Sequence, residues 1–413
     1  MVYDTGDIAW MLVSTALVLV MTPAVGFFYG GMLRKGSMLS MLGQTIIVIG
    51  IATVVWVTFG FSLAFGPDTA GLIGNFDFAF LHGIGVGSEP PALPYFPTAI
   101  PPLLYMMFQG MFAIITVALI IGGIAERMRL GALTAFLAIW TAAVYLPVAH
   151  WVWGGGWIFD LGALDFAGGT VVHISAGAAV LAAALVIGKR MSAQRGEVDQ
   201  PHNIPFVFLG GALLWLGWFG FNGGSALGAN ELAVGALVST QIAAATAGVS
   251  WGLISYLHLG RTSVMGMITG AVVGLVAITP AAGFVDVFGA LAIGAVAPAF
   301  SYGAIQLRKR MGFDDALDVW ACHGVGGTVG AVATGLLATS AVNAAIPNGL
   351  LYGGGVDLLI KQLTAVGAVW AFVFAATFAI VWAITKAMPA WRMTKEEERI
   401  GADVVQHGEN AYS

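Results

Sequence analysis

Hydrophobic positions along this chain come in long blocks, without the two-residue alternation of a half-buried strand. Apolar runs of about twenty residues lie near 7–32, 39–65, 101–125, 131–150, 167–188, 204–224, 236–258, 262–280, 287–307, 318–340 and 357–386. A helix needs about 20 apolar residues to cross a bilayer, whereas barrel strands are shorter and alternating. The pattern therefore predicts an all-α membrane protein with eleven transmembrane helices. Most gaps between runs are short. The exceptions are Gly66–Ile100, the connection Val148–Phe166 and the tail after Met388. The domain reading follows: residues 1–388 form a membrane domain, and 389–413 form a cytoplasmic C-terminal tail.

Composition excludes the alternative that length suggests. A soluble chain of 413 residues would make roughly three domains. Only 9% of residues are charged and 59% are hydrophobic, against about 25% charged in ordinary soluble proteins. The single cysteine, Cys322, rules out an intrachain disulfide framework. The 58 glycines have no collagen period and suit close helix packing in lipid. A net charge of -5 argues against nucleic acid as a partner. The first residues carry Asp4 and Asp7 and no basic residue, so the first apolar run is expected to remain in the mature protein.

The charges also orient the chain. Fifteen of the sixteen basic residues fall in alternate gaps or the tail, and only Lys361 falls on the other face. The positive-inside bias makes the basic face cytoplasmic, with the N-terminus outside and the C-terminus inside. The outer face sums to -9 and the inner to +4. A multi-pass protein of the cell (plasma or inner) membrane is expected.

A faint duplication is visible. Gly26-Phe27-Phe28-Tyr29-Gly30-Gly31 ends span 1, and Gly220-Phe221-Asn222-Gly223-Gly224 ends span 6. Gly168-Gly169-Thr170-Val171 in span 5 matches Gly326-Gly327-Thr328-Val329 in span 10. Spans 1–5 and 6–10 then form two copies, with span 11 outside the repeat. Five being odd, the second copy is inverted, an arrangement that places substrate paths at the repeat interface.

Ionisable groups deep in lipid are costly and mark function. Of seven histidines, only His173 and His323 lie deep within apolar runs, on corresponding helices of the two copies. They read either as a neutral pair sharing a proton or as two rings separately bonded to backbone. No third ligand for a metal is evident, and no cofactor is expected. Asp165 reads as an N-cap for span 5, as a group favouring a cation above the histidines, or both. Asp318 reads as a cap for span 10. Most of the thirteen tryptophans suit interfacial belts. From spacing alone Trp153 belongs with them, although a tryptophan face at a wet mouth, with a hydroxyl such as Ser225 nearby, can also hold a cation. Walker, Gly-x-Ser-x-Gly, His-Glu-x-x-His and Cys-x-x-Cys motifs are all absent, so the chain is not expected to be an enzyme.

Certain motifs nonetheless point to a known family. His150-Trp151-Val152-Trp153-Gly154-Gly155-Gly156 followed by Asp165 to His173, together with Phe28-Tyr29-Gly30-Gly31, Phe108-Gln109-Gly110, Gly217 to Asn222, His323-Gly324-Val325 and the tail's His407 to Tyr412, resemble ammonium transporters of the Amt/Mep type, relatives of the Rhesus proteins. The resemblance implies a homotrimer with one pore per subunit. It implies an outer ammonium site at Phe112, Trp153 and Ser225, which displaces the belt reading for Trp153. A ring pair closing the pore matches Phe112 and Phe221, the pore histidines match His173 and His323, and Asp165 and a vestibule Thr279 support them. The implied activity is recruitment of ammonium (methylammonium as an analogue), deprotonation, conduction of ammonia through an apolar pore, and relay of the proton. A PII-type signal protein docking on an ordered tail is also implied, against the plain reading of a solvated segment. A neutral ammonia or carbon dioxide channel of Rhesus type and an ammonium-sensing receptor are the alternatives; no kinase or cyclase domain follows span 11.

Overall fold

The computed structural model describes residues 3–197 and 200–412, so Ser413 of the tail lies outside it. Eleven helical segments follow the eleven apolar runs. They are α1 Thr5–Met32, α2 Lys35–Phe65, α3 Pro102–Gly123, α4 Leu130–Leu161, α5 Gly169–Ile187, α6 Ile204–Gly224, α7 Glu231–Leu259, α8 Val264–Ile278, α9 Val287–Met311, α10 Trp320–Leu337 and α11 Asp357–Ala387. Among the described residues nine are long and apolar enough to cross a membrane; α8 and α10 are shorter. Between α2 and α3 the chain makes a two-stranded hairpin, β1 Asp68–Thr69 with β2 Ile73–Gly74.

The central helices are buried nearly all round, as α3 and α5 are, while α11 exposes most of its surface to lipid. Small residues let the central pair approach. A methyl group on Gly177 of α5 would overlap the backbone of Gly324 of α10, so these helices cross almost in backbone contact. Both helices open with a π turn, Gly169–Ile174 in α5 and Trp320–Val325 in α10. Such turns concentrate at functional sites because the extra residue re-aims a side chain. Here each carries one of the two deep histidines. The matched turns at matched places are what a duplicated five-helix unit would leave.

The expected loop Val148–Phe166 is partly helical. The helix of α4 continues to Trp153, and Trp157–Leu161 adds a further turn. The polar His150 does not end it, because its ring is buried and fully engaged. Nδ1 lies 3.0 Å from the Ala64 carbonyl and Nε2 lies 2.8 Å from Asp68. The break comes at Gly154-Gly155-Gly156, where Gly155 has φ +83°.

The tail is ordered, and it folds onto the basic loops as α12 Lys395–Ile400 and α13 Ala402–His407. Thr394 and Glu397 form a capping box at the start of α12. Glu397 pairs with Arg129 at 2.7 Å, Glu398 accepts from the Met191 amide at 2.8 Å, and Asp403 accepts from the Ser40 amide at 2.7 Å. The Tyr412 hydroxyl lies 2.9 Å from His202 Nε2, and the Lys35 ammonium sits over its ring.

Candidate transport pathway

A cluster of aromatic rings forms where the middle of α3 meets the later turns of α4 and the end of α6. Trp153 stands nearly perpendicular to Phe112, with ring centroids 5.7 Å apart at 84°. Its indole N–H donates to the Asp165 carbonyl at 2.9 Å, which fixes the ring. Ser225 donates its hydroxyl hydrogen to the Phe221 carbonyl at 2.8 Å, leaving its oxygen lone pairs free to accept. Beside them, the Phe112 and Phe221 rings lie 4.5 Å apart.

Asp165 is buried next to Trp153, whose indole N–H its carbonyl accepts. Its buried carboxylate accepts from the amides of Gly168, Gly169 and Thr170 at 2.7–2.8 Å and from the Thr170 hydroxyl. The structure thus gives Asp165 the capping contacts. Thr279, expected in the vestibule, is fully buried. It accepts the Trp218 indole N–H at 2.9 Å and donates to the Leu275 carbonyl at 2.7 Å.

Beneath the phenylalanines is a narrow chamber of about 10 Å³, walled by residues such as Met21, Val25, Ile115 and Leu214. A single water needs about 10–15 Å³. His173 and His323 close its floor, with Nδ1 facing Nδ1 at 3.2 Å. Of the two readings of these histidines, the paired one is what the fold produces. Since both facing atoms are Nδ1, one ring donates and the other accepts. His173 Nε2 has no hydrogen-bond partner among the described residues. His323 also lines a vestibule of about 690 Å³. The chain thus sets an aromatic cluster, a narrow apolar chamber, a histidine pair and a wide vestibule next to one another.

A family model described as Ammonium Transporter Family matches residues 9–412. The chain belongs to the ammonium transporter family. An ammonium transporter of Bacillus subtilis (strain 168) is 47% identical to it over 408 residues, 98% of each chain. The solved structure of Saccharomyces cerevisiae Mep2 is similar with a TM-score of 0.89 at 36% identity, covering 100% of this chain and 92% of that one. A solved protein named Sensor Amt Protein is similar at 28% identity and a TM-score of 0.89, covering 97% and 98%.

In this transporter Phe112 packs against both Trp153 and Phe221, Ser225 bonds the Phe221 carbonyl, and His173 meets His323. Asp318 does not cap α10. Its φ of +57° is not the extended backbone of a capping residue, and its carboxylate pairs with Arg308 at 2.6 Å. The cap is Asp315, which accepts from the Trp320 amide at 2.7 Å. The available signal was spacing, because Asp315 precedes His323 by eight residues, as Asp165 precedes His173.

The vestibule rim is held by charges whose environments differ. Burial alone would raise Asp314, but hydrogen bonds from Arg190 and the charges of Arg127 and Arg190 hold it at about 2. Burial brings Arg127 down to about 10 despite Asp314. Asp315 is pushed up to about 6 by burial and by the neighbouring charge of Asp318.

Proposed function

We propose that this transporter recruits ammonium between Trp153, Phe112 and Ser225, removes one proton, and passes ammonia and the proton inward by separate means. The observation that carries the reading is the His173–His323 contact of 3.2 Å at the floor of an apolar chamber. Ammonium is strongly hydrated. At the mouth, ring faces and the Ser225 oxygen replace part of its water, each cation–π contact contributing about 0.5–2 kcal/mol. Past the phenylalanine pair the cation is tolerated only until it hands its proton to His173, since an unpaired charge in so apolar a space costs several kcal/mol. K⁺ and Na⁺ have no proton to lose and are excluded on that ground.

The proton balance is simple. With the shared hydrogen on His173 Nδ1, its Nε2 lone pair accepts the proton that ammonium gives up. His173 then passes its Nδ1 hydrogen to His323, and His323 releases its Nε2 hydrogen to the vestibule. Ammonia crosses and is reprotonated inside, so one passage moves one positive charge and leaves the histidine pair with its two tautomers exchanged. Every group on this path comes from one chain, which supports one pore per subunit in a homotrimer. The ordered tail is proposed as the dock for a PII-type signal protein. A pull-down should lose binding when the chain is truncated at Met388; equal capture would refute the dock.

Purified protein in proteoliposomes, pulsed with ammonium, should give a transient inward current. Replacing both His173 and His323 with Ala should abolish it. An unchanged current would overturn the relay, and ammonia uptake without current would favour the neutral-channel reading.

A further inference from the structure

Trp218 lies on α6 one turn before Phe221, on the same face of the helix. It is buried, and it lines the chamber beneath the phenylalanine pair. Its ring stacks on His173, centroids 5.4 Å apart and planes 24° apart. Phe221 stacks on the same imidazole at 5.9 Å and 21°. The one polar atom of the indole, Nε1, donates to Thr279, and Thr279 in turn donates to the Leu275 carbonyl. Rotating the indole would strand a buried donor, so the hydroxyl locks its face toward His173.

His173 has no carboxylate hydrogen-bonded to it among the described residues. Its Nδ1 faces His323 and its Nε2 has no partner. A histidine that takes up a proton there becomes a cation in an apolar chamber with no counter-charge in contact. What surrounds it instead is aromatic face. Tryptophan has the strongest such attraction of the aromatic side chains, and the attraction grows when water is excluded.

We propose that Trp218 is a positioning residue for proton transfer: its locked indole face holds the His173 ring and stabilises it during the interval in which it carries two protons. This rests on the relay reading above and adds to it the group that makes a transient imidazolium tolerable. Phe221 serves the same ring from the gate side, so closure of the path and support of the histidine share one element, α6. Thr279 acts one step further out, by fixing the indole.

The test compares Trp218→Phe, Trp218→Leu and Thr279→Val with the parent protein in proteoliposomes under graded ammonium pulses. Trp218→Leu removes the aromatic face and should lower the maximal current about tenfold. Trp218→Phe keeps a face and should stay within about threefold of the parent. Thr279→Val releases the indole and should fall between them. The half-saturating ammonium concentration should not move in any of the three, because Phe112, Trp153 and Ser225 are untouched. Equal loss in the Phe and Leu variants, or a shifted half-saturation with unchanged maximal current, would overturn the proposal. So would a parent-like current in Trp218→Leu while His173→Ala abolishes it, a result that leaves the relay standing. A parent-like current in His173→Ala would remove the relay itself, and with it the role of Trp218. Should the Trp218→Leu protein fail to fold, Thr279→Val decides alone, and a parent-like maximal current there refutes the lock.

Discussion

Asp315 and Asp165 stand at the same distance from their histidines, yet their carboxylates are satisfied differently. Asp165 is wrapped by three amides and a hydroxyl, whereas Asp315 takes one strong bond from Trp320 and its Oδ1 has no partner among the described residues. Burial and Asp318 raise Asp315 to about 6 from 3.8, so folding favours the neutral acid. That stability is fully present below pH 3.8 and is lost as pH rises through 6. A shift of this size corresponds to about 3 kcal/mol at neutral pH. Asp315→Asn keeps the acceptor and cannot ionise. Its melting temperature in detergent should therefore exceed the parent's at pH 8 and converge with it near pH 4; a constant difference across that range would disprove the assignment. At the mouth, Trp153→Leu should raise the half-saturating ammonium concentration about 2- to 30-fold, the range of a lost cation–π contact. Ammonium titrations of the transient current would measure it. The histidine pair was legible in the sequence because a lone ionisable group in an apolar run is conspicuous. Asp315 was hidden beside the nearer Asp318, and Trp218 gave no sign, since its partner Thr279 lies 61 residues away and meets it only in the folded chain.

The apolar blocks located all eleven helices, because length and hydropathy are properties of the segment itself. Their ends and irregular turns were less visible. His150 looked like the start of a loop because its partners, Ala64 and Asp68, come from α2 and the hairpin beyond it. The π turns of α5 and α10 leave no mark in hydropathy, yet they aim both histidines at one point. What keeps them there is the Gly177–Gly324 crossing, since any side chain at either position would hold the helices apart. Gly177→Val should destabilise the protein by about 1–3 kcal/mol, the usual result of overfilling a tight contact, and should depress ammonium current in whatever protein folds. Gly367→Ala, where added bulk meets nothing within 4 Å, serves as the control and should leave both unchanged. Thermal melts and currents of the two variants check this; a Gly177→Val protein as stable as the control would mean the crossing tolerates separation.

For the molecule as a whole, scarce charge is sorted by face: one set of loops is mostly acidic, and the basic loops opposite hold the tail. Glu126 bridges Arg34 at 3.0 Å and Arg190 at 3.2 Å, and Arg190 reaches on to Asp314 at 2.9 Å. The loops after α1, α3, α5 and α9 are thereby tied into one network, onto which the tail clips through Glu397, Glu398 and Asp403. The network reaches the vestibule rim through Arg190 and Asp314. Lys395 and Arg399 are exposed in the docked tail and become cleavable by trypsin once α12 opens, because a protease needs extended backbone. Hydrogen bonds to charged groups contribute about 1.5–3 kcal/mol each, so Glu398→Ala or Asp403→Ala should raise the open fraction about 10- to 100-fold. Cleavage follows that fraction when opening and closing are fast. The variants should lose the tail correspondingly faster than the parent in inside-out vesicles and not at all in right-side-out ones. Equal rates in parent and variants would mean that these carboxylates do not hold the tail, and cleavage from the outside would reverse the orientation that the basic loops assign.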